Sequence, residues 1–180
     1  DDIYGRNSEH AEIERQANQF AATLLMPLDQ FRQAIDACRQ PDWTELASLS
    51  DRYGVSLLAC CHRWMEYTSS RSCLVTSRDG FVLSARSTTA AYESGVFIKT
   101  KDVPPVEIPP GSLTATSLIP GSKHVTEHPP HVWFPESCRE CAMTTSTYDM
   151  TYTLIHLSNR SNVSLQTEPV EDVFDRFGGN

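Results

Sequence analysis

The chain has 180 residues, 39% of them hydrophobic and 21% charged, with a formal net charge of −8. That length buries a substantial core without disulfide staples. The acidic balance excludes the basic body of a protein that grips nucleic-acid phosphates, and no apolar run approaches membrane-spanning length.

In chain order, residues 9–26 read as an amphipathic helix. Ser8 can cap it, Glu9 and Glu12 suit its positive end, and Ile13, Ala17, Phe20, Ala21, Leu24 and Leu25 recur at helical spacing. Pro27 fits a first turn but not a helix interior, so it opens a second element carrying Phe31, Ala34, Ile35 and Cys38. A third helix begins at a capping-box pattern, Asp42 with Glu45, and stops at Gly54. Ser56 caps a fourth, which runs to about Tyr67 with Leu57, Cys60, Cys61 and Trp64 inward.

The polar stretch Thr68–Ser72 marks the expected boundary between a helical unit, 1–72, and a second unit, 73–180. The hydrophobic period then changes from helical to alternating. "CLVTSRDGFVLSAR" predicts a hairpin turning on Asp79-Gly80, and "VFIKT" (96–100) a further strand. Ser112 could cap a short helix over 112–119, and the Pro- and His-rich segment 120–135 reads as a long loop. "AMTTSTYDMTYTLIHLS" predicts two strands around Tyr148-Asp149, and Val170, Val173, Phe174 and Phe177 a terminal helix. The fold class is therefore α+β: four N-terminal helices followed by a mainly antiparallel sheet.

One carboxylate in the first helix carries chemistry. Glu14 lies within about 60° of Asn18, Ala21 and Leu25 on a helical wheel, at the shoulder of the apolar stripe. From spacing alone it is either a solvated first-turn glutamate or one ligand of a metal site completed elsewhere. Other constellations compete. Cys138-x-x-Cys141 with His124, His128 and His131 nearby offers a structural zinc set. "HVTEH" (124–128) has the inverted His-x-x-Glu-His order of a zinc peptidase group, but Pro129-Pro130 opposes the helix that motif needs. "LASLSDRYGVSLLACCHRW" has helix-turn-helix spacing, yet residues 44–67 offer Arg52 and Arg63 against Glu45, Asp51 and Glu66. The six cysteines read as reduced thiols of a cytoplasmic protein.

Residues Glu14 to Pro27, "ERQANQFAATLLMP", resemble the second signature of the ImmA/IrrE family of zinc metallopeptidases. The resemblance implies that Glu14 is the third zinc ligand and Asn18 a group that orients the site. It implies a first signature, His-Glu-x-x-His, whose two His hold zinc and whose Glu is the general base. That signature is absent from the 180 residues, and the chain opens on "DDIYGRNSEH" with no starting Met. The expectation is therefore the C-terminal portion of a longer enzyme, inactive and without zinc as it stands. The resemblance further implies a protein substrate, a helix-turn-helix repressor whose cleavage changes gene expression, and a GAF-like sensor after residue 72. The second reading is a non-catalytic regulatory or sensor module, and the third a DNA-binding regulator.

Overall fold

A computed structural model of the chain describes residues 16–17, 20–116, 118–145 and 149–159. Glu14, Asn18 and the expected helix over 170–177 lie outside the described residues. Among the described residues there are five helices: α1 (16–17 and 20–25), α2 Leu28–Ala34, α3 Trp43–Tyr53, α4 Leu57–Tyr67 and α5 Thr89–Glu93. Five strands follow or flank α5: β1 Ser72–Arg78, β2 Phe81–Ser87, β3 Lys123–His128, β4 Cys138–Thr144 and β5 Thr151–Leu157. All four pairings are antiparallel, in the order β2-β1-β5-β4-β3.

The helix ends are made as the sequence predicts. The Asp42 side chain accepts the amides of Thr44 and Glu45 while Glu45 reaches back to the Asp42 amide, closing the capping box. Gly54 closes α3 at φ 62°, a left-handed conformation that a Cβ would oppose. Ser56 accepts the Ala59 amide at the start of α4. In the β1–β2 hairpin, Asp79 (φ 53°) and Gly80 (φ 82°) both take positive φ, which suits the turn to the strand twist.

The sheet has two covered faces. Leu74, Leu154 and Cys141 share one face, as strand alternation requires, and pack under α2–α4 with Phe31, Trp43, Leu46 and Trp64. Cys73, Val75, Ile155 and Leu157 point the other way, onto α5 and the loops that carry Val96, Ile108 and Phe134. The helical layer is also hydrogen-bonded to the sheet: Trp43 Nε1 donates to Cys141 O at 2.8 Å and Gln40 Nε2 to Leu157 O at 2.7 Å.

Three predicted elements are corrected. Residues 96–100 form no strand; the free edge of β2 is met instead by residues 106–108, through Val82 N–Val106 O and Ile108 N–Gly80 O, both 2.8 Å. Residues 112–116 make turns rather than a helix, and the Leu113 and Thr114 amides are accepted by the Glu140 carboxylate. The stretch expected as a loop over 120–135 contains β3, which pairs with β4 over six residues before Pro129-Pro130 ends it.

Candidate metal centre and its surroundings

The α1 segment leads into the site that the sequence analysis assigned to Glu14. Its C-terminal end is fixed from α4, where buried Arg63 donates Nε to Met26 O at 3.0 Å and holds Glu66 at 2.7 Å. Met26 and Ala22 therefore face the helical core. The stripe predicted to point inward does the opposite. Phe20 is 71% exposed, Leu24 67% and Leu25 51%, and Ala17 and Ala21 are exposed with them. The reversal follows from the anchor at Met26, which leaves the core only the Ala22–Met26 side of the helix. Glu14 itself lies outside the described residues.

The other proposed metal ligands do not converge. Cys138 and Cys141 are three apart on β4, so they point to opposite faces: Cys138 joins the loop-side core and Cys141 the helix-side core. Burial raises both thiols, Cys138 to about 11 and Cys141 to about 12, against thiolate formation. His124 and His128 share a face of β3, but four residues of extended strand separate them by about 13 Å, too far for one ion. His124 Nε2 pairs with Ser122 Oγ at 2.7 Å, and exposed His131 sits at φ 73° in the turn beyond. Among the described residues no three His, Cys, Asp or Glu side chains converge. They do not by themselves fit a zinc site, and Glu14 lies outside the described residues.

The structure brings forward two buried groups that sequence reasoning passed over. Glu140, fully buried on β4, accepts from the amides of Leu113 (2.9 Å) and Thr114 (2.8 Å), from Thr114 Oγ1 (2.5 Å) and from Trp133 Nε1 (2.8 Å). His128 Nε2 stands 2.7 Å from Glu140 Oε2, near enough for ion pairing but off the line of a hydrogen bond. The second group is His156 on β5, buried against Trp64. Its Nδ1 meets Ser72 Oγ at 2.8 Å and its Nε2 meets Pro41 O at 2.9 Å. A carbonyl can only accept, so Nε2 carries the proton and Nδ1 accepts from Ser72. Desolvation lowers the His156 pKa to about 3, which keeps the ring neutral. A charged residue between two cysteines and a His within an apolar strand were the available signals.

Beside His156, an open polar cleft of about 490 Å³ separates Cys38–Gln40 from the ends of β4 and β5, with Arg39, Arg139, Glu127 and Asn159 on its walls. The α3–α4 pair has helix-turn-helix spacing, but α4 cannot lie in a groove. Cys60, Cys61, Arg63, Trp64 and Met65 are buried, and His62 Nδ1 is held by Arg86 at 3.0 Å.

Residues 2–65 match the family model described as peptidase M78, IrrE N-terminal-like domain. No curated protein matches the chain. Among the described residues, no helix is long and apolar enough to cross a membrane.

Proposed function

We propose, from the match of residues 2–65 to the IrrE N-terminal-like peptidase M78 model, that the chain is of the ImmA/IrrE peptidase family and serves a zinc-dependent endopeptidase that cleaves a helix-turn-helix repressor in the cytoplasm. Glu14 is the ligand this chain contributes, with Asn18 orienting it. The 180 residues contain no His-Glu-x-x-His, so by themselves they are inactive and hold little zinc. The unit after residue 72 binds the signal or partner that controls cleavage, and the cleft between Arg39 and Arg139 is the place for it.

The observation that supports this reading is the outward apolar face of α1. Phe20, Leu24 and Leu25 are exposed, and on a helical wheel Leu25 falls about 20° from position 14, with Leu24 and Phe20 extending the apolar face away from it. Covering each is worth about 1.5–3 kcal/mol. A helix that brought His-Glu-x-x-His to Glu14 would cover them. The competing reading, a module that keeps the fold without catalysis, predicts no cleavage whatever segment is joined.

The test uses the gene product with any His-Glu-x-x-His segment encoded ahead of Asp1. Zinc content and repressor cleavage are compared for wild type and Glu14→Gln. The variant is expected to lose stoichiometric zinc and at least about 10²-fold in cleavage, since even residues behind a ligand cost 10–100-fold. Retained zinc and cleavage would remove Glu14 from the ligand set. Absence of the segment and of cleavage would leave the binding module.

A further inference from the structure

The two edges of the sheet are finished differently. The β2 edge is met by residues 106–108. The other edge is β3, the terminal strand, which pairs with β4 alone. Among the described residues nothing hydrogen-bonds to its outer side. The helical layer also stops short of it. Leu74, Leu154, Cys141 and Val125 form one row across four strands. The first three are at most 3% exposed, whereas Val125 is 48% exposed. Lys123 and Glu127 flank Val125 on the same face and are exposed too.

An unpaired edge of this kind is a template for another strand. Charges on an edge repel most partners, so the arrangement of these charges decides what can bind. Reading β3 against itself in antiparallel register about Val125 puts Lys123 opposite Glu127 of the second copy, twice. It puts Val125 opposite Val125, and His124 opposite Thr126. Opposite charges and β-branched pairs directly across a ladder are stabilising, and like charges there are destabilising. A shift of the register by two residues, which keeps the faces matched, breaks both charge pairs. The strand is thus complementary to itself in one register.

We propose that β3 is a self-association edge, through which two copies of the chain join their five-stranded sheets into one continuous antiparallel sheet about a two-fold axis at Val125. The axis stands perpendicular to the sheet, so both helical layers lie on the same side of the joined sheet. The strand is already straightened for docking: β4 pairs its whole length, and His128 at its end is buried against Glu140. A six-residue strand pair is about 20 Å long, which makes an interface below the standard size. Association is therefore weak and concentration-dependent.

Sedimentation or light scattering on the 180-residue chain tests this. The expected result is monomer at roughly 10 µM and dimer at roughly 500 µM, as a small interface implies. Lys123→Glu and Glu127→Lys should each abolish the dimer at low salt, because each puts like charges opposite one another twice. An equimolar mixture of the two should dimerise again, since every facing pair is then opposite in sign. Both sites are exposed, and circular dichroism verifies that each variant is folded; Glu127 faces Arg139 within the chain, so this control matters most for Glu127→Lys. A folded wild type that stays monomeric to about 1 mM overturns the proposal. So does a dimer indifferent to both variants, or a mixture that fails to restore it.

Discussion

His156 is the residue whose chemistry is set most fully by its surroundings. Desolvation holds its pKa near 3, below the ordinary 6.5, with Arg139 adding to the effect while the Pro41 carbonyl and Asp42 oppose it. An unfolded chain takes up a proton on this ring below about pH 6.5, whereas the folded chain does not until near pH 3. The stability held by the neutral ring is thus complete above pH 6.5 and lost as pH falls toward 3. Each pH unit in that window costs about 1.4 kcal/mol. Urea midpoints measured from pH 7 to 4.5 should fall by the equivalent of about 2–3 kcal/mol for this group. His156→Gln keeps a donor toward Pro41 and does not titrate. It should be less stable at pH 7, with a correspondingly shallower loss on acidification. An unchanged pH slope would show that the ring accepts a proton inside the fold.

At the scale of elements, Glu140 is what joins the 112–116 turn to the sheet. Its two oxygens accept four donors from Leu113, Thr114 and Trp133. Glu140→Gln is nearly the same shape, but it has one acceptor oxygen and turns an NH₂ group toward donors. At least one buried N–H then loses its partner, at about 1–3 kcal/mol, and more where the partner was charged. The variant should lose about 2–4 kcal/mol in chemical denaturation and be nicked by protease within 109–119 while β1 and β2 stay protected. Stability within about 0.5 kcal/mol of wild type would mean that these contacts do not hold the turn to the sheet. Ser112 does accept the Ala115 amide as a cap would, at 3.2 Å, but the chain continues in turns rather than a helix, and its Leu113 and Thr114 amides go to a residue 26 to 27 positions away. The run 96–100 has strand-forming residues, yet the β2 edge it would need is taken by 106–108. β3 was hidden by its His, Lys and Glu, which are edge-strand residues and leave little hydrophobic alternation to read. The capping box, the Gly54 stop and the Asp79-Gly80 hairpin were legible because their chemistry is complete within four to six residues.

For the molecule as a whole, the interface between helices and sheet is the decisive feature. Alternation in the sequence separates a helical period from a strand period near residue 72, and the four helices and strands β1, β2, β4 and β5 were readable from it. What alternation cannot show is which faces meet. Trp43, Leu46 and Trp64 share one core with Leu74, Cys141 and Leu154. Hydrogen bonds cross the same interface from Trp43 to Cys141, from Gln40 to Leu157, from Arg139 to Gln40 and between His156 and Pro41. Separating the layers would expose large apolar side chains, at about 1.5–3 kcal/mol each, and leave sheet residues facing water on their core side. A few such terms match the whole stability margin of a domain, about 5–15 kcal/mol. The helices and the sheet should therefore unfold together. Helical ellipticity and the tryptophan fluorescence of Trp43, Trp64 and Trp133 should give one urea midpoint, although Trp133 lies on the loop side of the sheet. Trp43→Ala removes a fully buried ring and its bond to Cys141 O, at about 3–5 kcal/mol. It should lower the midpoint seen by the strand signal as much as that seen by the helical signal. If the sheet keeps its wild-type midpoint while the helices melt early, the two layers are independent, and the shared core does not bind them into one cooperative unit.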